Sequence, residues 1–196
     1  NIAEEIGVSH IEELHDLGYL PIHIKALPEG IYCPYGVPML TITNTHPNFA
    51  WLTNYLETLI STTLWKPVNS ATTADVFKRE LVRHALKTGF VTREQLEKGT
   101  SDIDFLCHDF SMRGMSGIED AMVSGMGHLL SFKGSETIPA ILGAQTYYGA
   151  DCNVAGTIPA TEHSIQCSTA TDFEGNVNDE EYFVSMLNKF PTGLIS

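Results

Sequence analysis

Within seven residues, His108-Asp109-Phe110-Ser111-Met112-Arg113-Gly114, the chain gathers an imidazole, a carboxylate, an aromatic ring and a guanidinium. Arg113 offers a planar fork of donors that matches phosphate or pyrophosphate oxygens. Phe110 offers a face on which a flat heterocycle can stack. A short apolar run (Ile103, Phe105, Leu106) precedes the segment and a helical pattern opens near Ser116. That context predicts a strand-to-helix crossing, where α/β proteins hold their ligands. The structural alternative is a loop in which Asp109 and Arg113 pair with each other and Phe110 tucks under a sheet.

Two later loops carry comparable chemistry. Lys133-Gly134-Ser135-Glu136-Thr137 supplies a cation for anionic oxygens and a carboxylate acceptor. Thr157-Ile158-Pro159-Ala160-Thr161-Glu162-His163-Ser164 supplies an imidazole flanked by an acid and a hydroxyl. His163 there suits a general base, a metal ligand or a nucleophile toward phosphoryl groups. Each has a plainer reading as well. Lys133 reads equally as a solvated loop lysine, Glu136 as a cap on the next helix, and His128 as a satisfied core imidazole. Glu162-His163 lacks the H-E-x-x-H spacing of zinc proteases, and no metal site is expected.

The elements that must position these groups follow from periodicity. Residues 3–17 repeat apolar positions at helical spacing up to Gly18. Residues 21–27 and 37–42 read as a strand pair around a turn at Pro28-Glu29-Gly30. A helix opens at Pro47 and carries Phe49, Leu52, Leu56, Leu59, Ile60 and Thr63 on a broad buried face widened by Trp51 and Tyr55; Pro67 is expected to end it. Ser70 then caps a second helix that stops at Gly89, and 90–102 reads as a polar surface connection. From 104 onward the order is strand, loop, helix, three times over, with Leu129–Phe132 as one of the strands. Asn178 caps a last helix, and Gly193-Leu194-Ile195-Ser196 opens a new strand. Such alternation predicts a parallel sheet, so the expected division is an α+β domain over 1–100 and an α/β part over 101–196.

The formal net charge is −13, from 11 basic and 24 acidic residues. This excludes a nucleic-acid binder on electrostatic grounds and makes each cation near a candidate site informative. With 43% hydrophobic residues the chain can bury a substantial core, yet no apolar run approaches a membrane span. Cys33, Cys107, Cys152 and Cys167 lie far apart without a C-x-x-C, the usage of reduced cytoplasmic thiols. The chain opens at Asn1 without a Met or a signal peptide, and both ends read as cuts in something longer.

Taken in order, these motifs resemble one family. His108-Asp109-Phe110-x-x-Arg113-Gly114, His128-Leu129-x-x-Phe132-Lys133-Gly134-x-x-Thr137 and Pro159-Ala160-x-Glu162-His163-Ser164 are similar to the nicotinamide phosphoribosyltransferases. So are Leu20-Pro21-x-x-Ile24-Lys25-Ala26-x-Pro28-Glu29-Gly30 and Trp51-Leu52-Thr53-Asn54-Tyr55-x-Glu57-Thr58. The resemblance implies part of a type II phosphoribosyltransferase α/β barrel plus an α+β domain, working as a cytoplasmic homodimer with sites at the subunit interface. It implies transfer of the phosphoribosyl group from 5-phosphoribosyl 1-pyrophosphate to nicotinamide, with Mg2+, in NAD salvage. By the same resemblance Phe110 stacks on the nicotinamide ring and Arg113 contacts pyridine or phosphate oxygens. His163 is the histidine that ATP phosphorylates, oriented by Glu162 and Ser164. Glu136 accepts the carboxamide N–H, and Thr157, Lys133 and Asp109 complete the substrate-binding set.

The chain departs from the family pattern at Glu136, where Asp is usual, and at Thr157, where Ser is usual. The family's ribose-binding acids and glycine-rich phosphate loops have no counterpart in these 196 residues. The isolated chain is therefore expected not to turn over. Rival readings are the same chemistry on nicotinate, a truncated homologue kept for dimerisation or regulation, and, more distantly, a metal-dependent hydrolase.

Overall fold

A left-handed glycine divides the first predicted helix. In the computed structural model, which describes residues 2–172, 174–193 and 195, Gly7 adopts φ 69° and separates α1 (Ile2–Ile6) from α2 (Ser9–Leu17). Gly18, at φ 76°, closes α2 by donating its N–H to the His15 carbonyl. The chain forms two compact units, Asn1–Trp65 and Lys66–Ser196.

In the first unit, β1 (Ile22–Ala26) pairs antiparallel with β2 (Leu40–Asn44), with Ile22 opposite Asn44 and Ala26 opposite Leu40. The partner strand begins three residues later than its β-branched pattern predicted, because Pro38 has no N–H to give a ladder. The core lies beyond the pair. Phe49, Leu52 and Leu56 are buried there, and Leu14, Leu17, Ile22, Trp51 and Ile60 pack around them. Each such side chain contributes about 1.5–3 kcal/mol through burial. The stripe is narrower than its sequence suggests, since Leu59 and Tyr55 are 62% and 70% exposed.

Helix α3 runs unbroken over Trp51–Thr88 with Pro67 inside it, so the break expected at Pro67 is absent. Ser70 does not cap a new helix; its hydroxyl donates to the Ser124 carbonyl at 2.6 Å. A proline removes one helical hydrogen bond, at a cost of about 3 kcal/mol, and tertiary packing decides whether the helix survives. Here that packing is close. A Cβ built on Gly127 of α5 (Ile118–Leu129) would stand 2.7 Å from the Pro67 carbonyl oxygen and 3.0 Å from the Ala71 nitrogen. Helix α6 (Ile138–Tyr148) meets α5 as closely, with Ala140 2.5 Å from the Cβ position of Gly125.

The stretch expected as a polar connection after Gly89 contains α4 (Arg93–Lys98). Its capping box was legible as T-x-x-Q: Thr92 accepts from the Gln95 N–H, and Gln95 returns the bond to the Thr92 N–H. Beneath it Ala85, Val91 and Ile103 form a second buried cluster.

The predicted strands of the second unit are shorter than expected. Asp102–Phe105 is a 3-10 turn, and Ser131 and Phe132 both donate back to the His128 carbonyl, so Leu129–Phe132 ends a helix instead of forming a strand. Parallel pairing survives as single bridges, Asp109 with Ser135 and Gly134 with Gly156. Mixed helix and strand therefore stands, while no barrel closes among the described residues. Helices α7 (His163–Ala170) and α8 (Asp179–Lys189) follow, the latter capped by Asn178 as expected. The strand expected at the chain's end falls on residues 194 and 196, outside the described residues. Among the described residues no helix is long and apolar enough to cross a membrane.

The tight crossing of α3 and α5 makes Gly127→Ala a direct test. Alanine is the better helix former by about 1 kcal/mol, yet the contact with backbone atoms of α3 predicts a net loss of roughly 1–3 kcal/mol in denaturant unfolding. Unchanged stability would mean that the two backbones do not approach this closely.

Candidate functional site

The site is built on backbone before side chains. The 133–136 segment lies between two others. Asp109 donates its N–H to the Gly134 carbonyl (3.1 Å) and accepts the Glu136 N–H (3.0 Å). On the opposite edge Gly156 donates to Lys133 (2.8 Å) and accepts from Ser135 (3.0 Å). Three segments far apart in sequence thus run parallel, and each leads into a helix, α5, α6 and α7 in turn.

Gly134 must be glycine because a Cβ there would stand 2.8 Å from Nδ1 of His108. Below it His128, buried on α5, holds the Gly134 carbonyl through Nε2 at 2.9 Å and stacks on Phe132. His128 is therefore the satisfied core imidazole that its helix face suggested. A contact the sequence did not signal anchors the same segment. Lys78 of α3 pairs with Asp104 and donates to the Ser131 carbonyl at 3.0 Å, its ammonium 5.0 Å from the Phe132 ring centre. Asp104 in turn accepts the N–H groups of Lys133 and Gly134 through its carbonyl. Lys78 and Asp104 lie 26 positions apart, beyond any local spacing rule.

The first loop projects its chemistry outward. Phe110 is 46% exposed and stacks loosely on His108, the ring centres 5.9 Å apart with 22° between planes. Arg113 ends the 3-10 turn Ser111–Gly114, is exposed, and has no ion-pair partner among the described residues. The alternative pairing of Asp109 with Arg113 does not occur; Asp109 is buried and its Oδ1 accepts the Ser111 N–H at 2.9 Å. Burial and the Asp109 charge together push the neighbouring Cys107 thiol above its ordinary pKa.

From the second and third segments, Glu136 and Thr157 meet directly. The Thr157 hydroxyl donates to Oε1 of Glu136 at 3.0 Å, so Glu136 does not cap α6. Lys133 is 53% exposed and reaches Asp104 at 3.9 Å, a weak surface pair.

His163 stands at the first position of α7, with its ring 3.7–3.9 Å from the Cys167 sulfur. Glu162 turns its carboxylate to the helix start. Its Oε2 accepts the N–H groups of Ser164 (2.7 Å) and Ile165 (3.2 Å) as well as the Ser164 hydroxyl. Those bonds, the Ser164 hydroxyl first, hold its pKa below the ordinary glutamate range. The acid and hydroxyl flanking His163 thus bind each other. Among the described residues no three His, Cys, Asp or Glu side chains gather where they would hold a metal.

Parallel segments that each lead into a helix are an α/β arrangement, and α/β proteins hold ligands at such strand ends. Comparison with known proteins narrows that class. No family model matches the chain. It is 46% identical over 192 residues to the nicotinamide phosphoribosyltransferase of Acinetobacter baylyi, which covers 97% of this chain and 35% of that protein. The nicotinamide phosphoribosyltransferase of Xanthomonas campestris is 34% identical over 178 residues, 88% of this chain and 34% of its own. That of Mycoplasma genitalium is 34% identical over 174 residues, with 87% and 33% covered. The chain is similar to nicotinamide phosphoribosyltransferases over most of its own length and spans about a third of the length of the curated relatives it matches.

The Glu162 cap has a defined pH response. Because its folded pKa is depressed, the ionised cap is complete above the unfolded glutamate value, about 4.3, and is lost as pH falls through the lower folded value. Protection of the Ser164 and Ile165 amides, taken as the intrinsic exchange rate at each pH over the observed one, should hold from neutral pH downward and fall only in that acid window. A protection factor that already falls between pH 7 and 5 would contradict the cap.

Proposed function

We propose that this chain forms part of an NAD-salvage enzyme that joins nicotinamide to 5-phosphoribosyl 1-pyrophosphate, giving nicotinamide mononucleotide and pyrophosphate. The observation that carries the reading is the parallel ladder linking Asp109, Ser135 and Gly156, which leads directly into Phe110, Glu136 and Thr157. The names of the relatives, over nearly all of this chain, support it.

In this reading the exposed Phe110 ring stacks on the pyridine. Glu136 accepts the carboxamide N–H. Oε1 already holds the Thr157 hydroxyl, which fixes the carboxylate and leaves Oε2 for the amide. A nicotinate carboxylate in the same place would meet a like charge, so the amide is preferred. Arg113, without an ion-pair partner among the described residues, and Lys133 meet anionic oxygens. The ring nitrogen bonds to the ribose carbon as the bond from that carbon to pyrophosphate breaks. Positive charge develops on the sugar, and the site's task is to hold separated charges in register. Glu162 sets the start of α7, and His163 at that start would accept the terminal phosphoryl group of ATP on a ring nitrogen, with ADP as the leaving group. Mg2+, when bound, would offset the charge of the pyrophosphate as it leaves. The working protein is a homodimer in the cytoplasm.

Steady-state kinetics of the intact protein test this. Phe110→Ala should raise KM for nicotinamide by roughly tenfold, the equivalent of about 1.4 kcal/mol of stacking. Glu136→Gln should erode the preference for nicotinamide over nicotinate. A wild-type protein that uses nicotinate as readily as nicotinamide would overturn the proposal.

A further inference from the structure

Asp109 lies on one edge of the ladder, and its two carboxylate oxygens have different surroundings. Oδ1 accepts the Ser111 N–H at 2.9 Å. Oδ2 is buried without a hydrogen-bond partner. It points into the seam between α5 and α6, where the Cβ position of Gly125 lies 3.2 Å from Oδ2, 3.1 Å from Cγ2 of Thr137 and 2.5 Å from Cβ of Ala140. The residue is 7% exposed, against 46% for its neighbour Phe110. Successive residues of an extended segment point to opposite faces, and that alternation puts Asp109 on the helix side and Phe110 on the outer side. Through its backbone Asp109 also holds Gly134 and Glu136.

We infer that Asp109 is a positioning residue of this site and not a contact to the substrate. Its side chain forms an Asx turn that fixes the Ser111 N–H and so sets the direction in which Phe110 and Arg113 leave the ladder. Its main chain ties that turn to the segment bearing Glu136. The inference rests on the proposed function for the identity of the ligand, but the turn itself is independent of it. An acceptor of the right shape is what the position needs, and a negative charge is not. A buried carboxylate oxygen without a partner is costly, so an amide in its place removes a charge while keeping the acceptor.

The test compares Asp109→Asn with Asp109→Ala in the intact protein, reading amide exchange at Ser111 and kinetics with nicotinamide. Asp109→Ala should speed Ser111 exchange by roughly five- to thirtyfold, the scale of a lost side-chain cap. It should raise KM for nicotinamide with a smaller change in kcat. Asp109→Asn should restore both readouts toward wild type, and it guards against an alanine variant that fails to fold. A substrate contact through charge predicts the opposite, with Asn as damaging as Ala to KM while Ser111 stays protected; that result overturns the inference. So does unaltered Ser111 exchange in Asp109→Ala. If the wild-type protein carries out no phosphoribosyl transfer, the proposed function fails, and the exchange comparison still decides the role of Asp109.

Discussion

The central backbone segment, residues 133–136, is the constraint on which the rest depends. Its amides and carbonyls are shared between the 109 edge and the 156 edge, so neither outer loop has a fixed position without it. Buried backbone groups must find partners. Here they find them in stretches more than twenty residues away on either side. Groups beneath serve this purpose: the His128 ring takes the Gly134 carbonyl, and the main-chain carbonyl of Asp104 accepts the N–H groups of Lys133 and Gly134. A chain that satisfies these bonds has little freedom left in where Phe110, Glu136 and Thr157 emerge.

Charge is distributed consistently with that frame. In a chain of net charge −13, much of the basic side-chain inventory is committed. Lys66 pairs with Asp120, Lys78 with Asp104, Arg83 with Glu80 and Lys98 with Glu94. Arg113 stands outside these pairs on an exposed turn.

The sequence was most legible where local rules decide the outcome. The helix over 138–148 obeys local rules, with Pro139 within its first turn and Gly149 beyond its last. The Asn178 cap was read correctly because an amide side chain followed by acids has few other uses. The three chemistry-bearing loops stand out in the sequence by residue type, and their bases pair through the single bridges Asp109–Ser135 and Gly134–Gly156. Misreadings came where packing overrode propensity. Pro67 reads as a stop, but α3 continues because its far side lies against α5. Leu129–Phe132 reads as a strand from its apolar run, but the ring of Phe132 is buried over Lys78 and His128, and the backbone stays coiled. The short strands were over-read because their pairing partners supply only one bridge apiece. The missed α4 had a local signal in Thr92 and Gln95, obscured by the polar composition around it.

Helix α5 shows what such close packing entails for folding. Within twelve residues it carries Gly125 and Gly127, both needed so that neighbouring atoms can come near. Each glycine costs about 1 kcal/mol of intrinsic helicity, and a helix of this length is marginal in water even with a favourable composition. As a free peptide α5 would be coil. It holds its shape against α3 and α6, so its helicity is a property of that packing and not of its own sequence.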